Sequence, residues 1–179
     1  AEPLAFADEA GNRFLRPATL AEIRKLRAEH PGADLMHSGV AQLRRGGREL
    51  SACTISMEGA TELRTVMDYD GKLELGAEGS LTMLEEGLSN RFPLLADLIP
   101  GVDPRPIRNR LSLAEHLLER GRVPYLALPL FLANAQIRLA ESEREHDASV
   151  AGFYRTRGDG GLRNTELIKK IVVSCSEIS

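Results

Sequence analysis

Two short segments carry residue types that could hold an anion. The first is His37-Ser38-Gly39-Val40-Ala41, which follows Leu35 and Met36. A glycine lets the backbone approach a phosphate closely, and successive N–H groups form a concavity that favours negative charge. Ser38 is small and adds a hydroxyl donor, whereas Val40 and Ala41 add only apolar surface. The segment reads either as a phosphate-binding loop or as an ordinary strand-to-helix turn that needs one glycine. No carboxylate partner for His37 is evident, so it reads as a packed or half-exposed imidazole rather than a catalytic base.

The second segment runs from Ile107, Arg108 and Asn109 through Arg110, Leu111, Ser112, Leu113 and Ala114 to Glu115 and His116. Within it, Ser112 to Glu115 has the form of a capping box, with a hydroxyl at the N-cap and a carboxylate three residues later. Leu113, Leu117 and Leu118 share a helical face and Gly121 is a suitable stop, so a helix is expected over residues 112–120. Burying those leucines contributes about 1.5–3 kcal/mol each before entropy. A helix start can also attract a phosphate. Glu115 opposes that use, because like charges ~4 Å apart cost roughly 1 kcal/mol in water and more near a protein surface. No Walker loop, metal-ligand cluster or serine triad is present in the sequence.

The elements that must position these segments are partly legible. Thr19 and Glu22 form a capping box ahead of Leu20, Ile23 and Leu26 at helical spacing, and Pro31-Gly32 ends that helix. Strands are expected over residues 33–38 and 51–57, giving a small α/β lobe. Residues 64–67 and 72–75 flank Asp70-Gly71, a strong hairpin signal. Helices are expected over residues 81–88 and 92–98, the second broken near Pro93, and over residues 128–135. Late strands are expected over residues 135–140 and 168–173. The polar stretch 141–147 reads as a solvated hairpin or loop, and residues 158–161 as a flexible turn.

Composition narrows the function classes. The chain has 179 residues and a net charge of -3, with an isoelectric point near 5.9. No basic excess exists to displace phosphate counterions, which argues against nucleic acid as a partner. The longest apolar run, residues 125–135, contains Pro129 and falls short of the ~20 residues that span a bilayer. No signal peptide is expected ahead of the first helix, and residue 1 is Ala, the start expected of a piece of a longer chain. Cys53 and Cys175 are too few for an iron–sulfur cluster, which takes about four thiolates, and read as reduced thiols of a cytoplasmic protein.

Three stretches, residues 14–39, 61–86 and 92–113, together resemble the FAD-binding (PCMH-type) domain of the molybdenum hydroxylases, the family of the xanthine dehydrogenase and carbon monoxide dehydrogenase medium subunits. In that family the first loop is of the Ala-Gly-Gly-Thr-Asp type, and only Gly39 of the glycine pair remains here. The second signature is Ile-Arg-Asn, a small residue, Thr or Ser, Ile or Leu, then Gly-Gly-Asn. Ile107, Arg108, Asn109 and Ser112 match it, and Ala114, Glu115 and His116 replace its Gly-Gly-Asn. Tyr125 stands where an Asp reaches the flavin's hydroxyls. Phe153 to Arg157, followed by Thr165 to Ile168, resembles the C-terminal pattern; its lysine is Thr156 here, and Arg157 is the neighbouring cation.

The resemblance implies an α+β, two-lobed fold: a single domain over residues 1–179, with an α/β lobe over about 1–60 and a lobe with a mainly antiparallel sheet over about 61–179. It implies FAD held by Leu35, Met36, His37, Ser38, Gly39, Val40, Ala41, Ile107, Asn109, Ser112, Ala114 and Arg157. It also implies iron–sulfur and molybdenum-cofactor subunits or domains as partners, with electrons passing through FAD to NAD. The alternative is a flavin-free structural or interaction module on the same fold, as the coordinated loss of the motif residues suggests.

Overall fold

The computed structural model describes residues 2–44, 51–119, 124–141, 143–157, 161–163 and 165–178. The expected stop at Gly121 and most of the turn at residues 158–161 lie outside them. The chain folds as mixed helices and sheets. A four-stranded sheet is built first, from β1 (Leu4–Ala7), β2 (Arg13–Arg16), β3 (Asp34–Met36) and β4 (Cys53–Ser56), in the order β1-β2-β4-β3. β1 and β2 pair antiparallel, while β4 runs parallel to both β2 and β3. Helix α1 (Leu20–Glu29) connects β2 to β3. Its cap is the expected one, with the Glu22 N–H donating to Thr19 Oγ1 at 3.2 Å. The Glu22 carboxylate reaches back to the Ala18 N–H at 2.7 Å. The strands β1 and β2 carry no clean alternation of burial, which is why periodicity did not reveal them. Helix α2 (Val40–Arg44) follows β3.

The second sheet has five strands in the order β5-β6-β9-β7-β8. These are β5 (Val66–Tyr69), β6 (Lys72–Gly76), β7 (Gln136–Glu141), β8 (Arg144–Ser149) and β9 (Glu166–Ser174), all paired antiparallel. The β5–β6 turn has Asp70 at φ 51° and Gly71 at φ 69°. Two successive positive φ values give the twist that a two-residue hairpin needs. Helices α3 (Leu81–Leu88), α4 (Pro93–Leu98), α5 (Arg105–Arg108), α6 (Leu113–Leu117) and α7 (Ala127–Leu132) come between β6 and β7, and α8 (Val150–Arg157) between β8 and β9. Pro93 starts α4 rather than breaking it, because the first helical position has no N–H to lose. The polar stretch after residue 141 is an edge hairpin, with Glu141 opposite Arg144.

Apolar side chains of β6, β7, β9 and α3 to α8 form the main core, including Leu75, Leu84, Leu117, Ile137, Phe153 and Ile171. A second cluster packs Ile23, Ile55, Met57 and Leu63 against Ala140 and Leu167 of the larger sheet. Arg157, implied as a cation for the cofactor, is committed elsewhere. Its Nη1 and Nη2 both donate to the Glu166 carboxylate at 2.8 Å, and its guanidinium lies 4.9 Å from the centre of the Phe153 ring. Glu166 is fully buried and also accepts the Arg163 N–H. This pair ties α8 to β9. Removing one partner of a buried pair strands a charge, so Arg157→Ala is expected to lower stability by about 3–5 kcal/mol. Denaturant unfolding checks this, and a loss under 1 kcal/mol would mark the pair as no more than a surface contact.

Candidate functional site

Between the two sheets lies a polar cleft of about 290 Å³. The smaller lobe contributes the turn after β3. There Gly39 adopts φ +80°, which a side chain would strain, and the chain reverses into α2. The larger lobe contributes the loop after β6 and the start of α6. These two run together: Leu81 N–H donates to Leu111 O, Leu113 N–H to Gly79 O and Ala114 N–H to Ala77 O, at 2.9 to 3.1 Å. Ser80 and Ser112 face each other in a single antiparallel bridge.

The capped helix expected at Ser112 is present but shorter than expected, running Leu113–Leu117 with Leu118 as its C-cap rather than on to residue 120. Ser112 Oγ accepts the Glu115 N–H at 3.1 Å, and Leu113, Ala114 and Leu117 are fully buried. His116 is used structurally, its Nε2 accepting the Leu126 N–H at 3.3 Å. The helix sets the Glu115 side chain against the turn of the smaller lobe. Glu115 Oε2 accepts the Ser38 N–H at 3.2 Å and the Ser38 hydroxyl, and Oε1 accepts the Ala41 N–H at 2.6 Å. Only 5% of Glu115 is exposed. Arg110 closes the same corner, donating to Ser38 O at 3.1 Å and pairing with Glu58 at 3.2 Å.

His37 does have a carboxylate partner, contrary to its reading from the sequence. Glu78, forty-one positions away, places Oε1 2.6 Å from Nδ1, with both side chains buried. The signal was the Gly76-Ala77-Glu78-Gly79-Ser80 loop, a carboxylate set among small residues. Burial opposes charge on His37, but the Glu78 carboxylate outweighs it, Glu115 adds to the pull, and Arg27 works against it. The net effect raises the imidazole above its ordinary value of 6.5.

Of the residues implied for a cofactor, the cleft brings together His37, Ser38, Asn109 and Ser112. Asn109 Oδ1 accepts the Thr82 hydroxyl at 2.8 Å. The remainder do not line it. Val40 and Ala114 are buried in the main core, with Ile107 packed against it, and Leu35 packs against the second cluster. Met36 lies on β3 with its Sδ near Gly39, and the Gly39 and Ala41 backbone turns toward Glu115. The cleft adds Glu58, Arg64, Glu78, Ser80, Met83 and Arg110, which no motif had singled out as ligands. Among the described residues, no group of three or more His, Cys, Asp and Glu could hold a metal ion.

A group whose folded pKa is raised contributes stability below its unfolded pKa and loses it as pH rises through the folded pKa. The His37–Glu78 pair therefore stabilises the protein fully below pH about 6.5 and progressively less above it. Unfolding midpoints measured from pH 5 to 9 should fall across the upper part of that range. Glu78→Gln should flatten the fall; an equally steep profile in that variant would locate the titration elsewhere.

The fold is similar to that of quinoline 2-oxidoreductase from Pseudomonas putida 86, with a TM-score of 0.83 at 19% identity over 98% of this chain and 61% of that one. It is similar to carbon monoxide dehydrogenase from Hydrogenophaga pseudoflava, in a form lacking the Mo-pyranopterin moiety of the molybdenum cofactor, with a TM-score of 0.83 at 19% identity over 97% of this chain and 60% of that one. Reconstituted CO dehydrogenase from Oligotropha carboxidovorans gives 0.80 at 13% identity, over 97% and 60%. The chain thus spans about three fifths of the length of the solved chains it matches. No curated protein matches the sequence. Residues 7–173 match the family described as the FAD binding domain in molybdopterin dehydrogenase, and the chain belongs to that family.

Proposed function

We propose that this chain is a flavin-family domain that contributes architecture and docking surface to a larger oxidoreductase assembly and does not itself carry FAD. The carrying observation is the fate of the backbone donors in its two motif segments. A pyrophosphate needs free N–H groups at close approach. Here the N–H groups of Ser38 and Ala41 go to Glu115, that of Glu115 goes to Ser112 Oγ, and those of Leu113 and Ala114 go to carbonyls of the β6 loop. The residues present do not fit the group that the family name implies.

A docking role has its own support. Tyr125, Leu128, Phe131 and Leu132 lie on and just before α7 and are each 51–58% exposed. Apolar side chains gathered on one short helix mark a contact surface more often than chance exposure does. The family's iron–sulfur and molybdenum-cofactor subunits or domains are the partners this reading gives it. No helix among the described residues is long and apolar enough to cross a membrane. The free, half-buried Cys53 and Cys175 support a cytoplasmic setting.

A second reading, electron transfer through FAD between iron–sulfur clusters and NAD as in a xanthine dehydrogenase-like enzyme, is favoured by the cleft itself, since His37, Ser38, Asn109 and Ser112 still line it. The two readings separate on one experiment. The purified protein is incubated with excess FAD, desalted, and its visible absorbance and flavin fluorescence are recorded. No retained flavin is expected. Retention of one FAD per chain would overturn the architectural reading in favour of the second.

A further inference from the structure

The turn between β3 and α2 presents its donors to a single acceptor group from within the chain. The turn aims two N–H groups and one hydroxyl, from Ser38 and Ala41, at the two oxygens of one carboxylate. Such a carboxylate has the charge and acceptor geometry of one face of a phosphate. It arrives from the opposite lobe, on a side chain aligned with the second glycine of the family's Gly-Gly-Asn signature. Its position is fixed independently of the turn, by the Ser112 cap and by the buried Leu113 and Leu117 on the same helix. Arg110, on the turn's carbonyl side, holds Ser38 in place through its carbonyl.

We infer that the Glu115 carboxylate is an intramolecular substitute for a phosphate and is the single group that denies this turn to pyrophosphate-bearing ligands. The inference rests on the reading that the domain carries no flavin, and it adds the residue responsible and the chemical class excluded. A diphosphate approaching the turn meets both a like charge and donors already taken. Removing the carboxylate relieves both at once. Glycine at position 115 also opens space for backbone approach, and glutamine removes the charge with the shape kept.

The test uses the whole chain as wild type, Glu115→Gly and Glu115→Gln. Inorganic pyrophosphate, ADP, FAD and riboflavin are titrated by calorimetry, and the Ser38 and Ala41 amide resonances are followed by NMR. Wild type should show no movement of those two amides with pyrophosphate. Each folded variant should bind pyrophosphate, ADP and FAD at least about tenfold more tightly than wild type, the factor that relief of roughly 1.4 kcal/mol represents. Riboflavin, which has no phosphate, should be unaffected. Folded variants without that gain overturn the inference, and so does movement of the wild-type amides at Ser38 and Ala41 on adding pyrophosphate, even if both variants fail to fold. Wild type binding FAD and riboflavin equally, with those amides still, would overturn only the flavin-free reading.

Discussion

A backbone N–H removed from water must find an acceptor, and leaving one unmet costs about 1–3 kcal/mol. At the turn between β3 and α2, that demand is met by a side chain from the other lobe. The Glu115 carboxylate takes the Ser38 and Ala41 donors, and the neighbouring contacts follow from it. His37, one residue before, turns toward Glu78, and Arg110 bridges the Ser38 carbonyl and Glu58. Arg44, at the far end of α2, pairs with Asp103 and Glu119 of the larger lobe. The smaller lobe is thus held on its cleft side by charged groups, Asp103, Arg110, Glu115 and Glu119, of the larger lobe's helical segment. With this corner satisfied internally, the cleft keeps its outline while the Ser38 and Ala41 donors are spent on Glu115.

The parts of this arrangement visible in the sequence are those set by local physics. The Thr19 and Ser112 caps, the Asp70-Gly71 turn and the helix at Leu81–Leu88 each depend on residues within a few positions, and each is where its signal put it. The Ser112 cap prevailed even where the resembled family carries Gly-Gly-Asn, with Leu113, Ala114 and Leu117 buried behind it. What escaped depends on distance in the chain. The partner of His37 is forty-one positions away, the target of Glu115 seventy-seven from Ser38. α8, with one turn of apolar residues and two arginines at its end, is held by Phe153 in the core and by Glu166 on a strand not yet formed when it is read in order.

The solved relatives keep this fold at 12–19% identity. Cores tolerate such divergence because pattern and volume, rather than particular residues, decide them. A binding site has no such slack. A single glutamate takes the donors of the β3–α2 turn without entering the sheets that define the fold. Fold and chemistry are for that reason separate conclusions here, the first carried by nearly the whole chain and the second by the few side chains around one cleft.

The smaller lobe closes its core in part with residues of the larger one. Ile55, Met57 and Leu63 are closed over by Ala140 of β7 and Leu167 of β9, strands that arrive much later in the chain. Leu20 and Ile23 of α1, with Ala33 and Ala60, supply the rest of the cluster, so the part that depends on the larger sheet is the face under β7 and β9. The two lobes therefore share one apolar seam, and loosening β7 or β9 uncovers Ile55 and Met57 together with the larger sheet's own core.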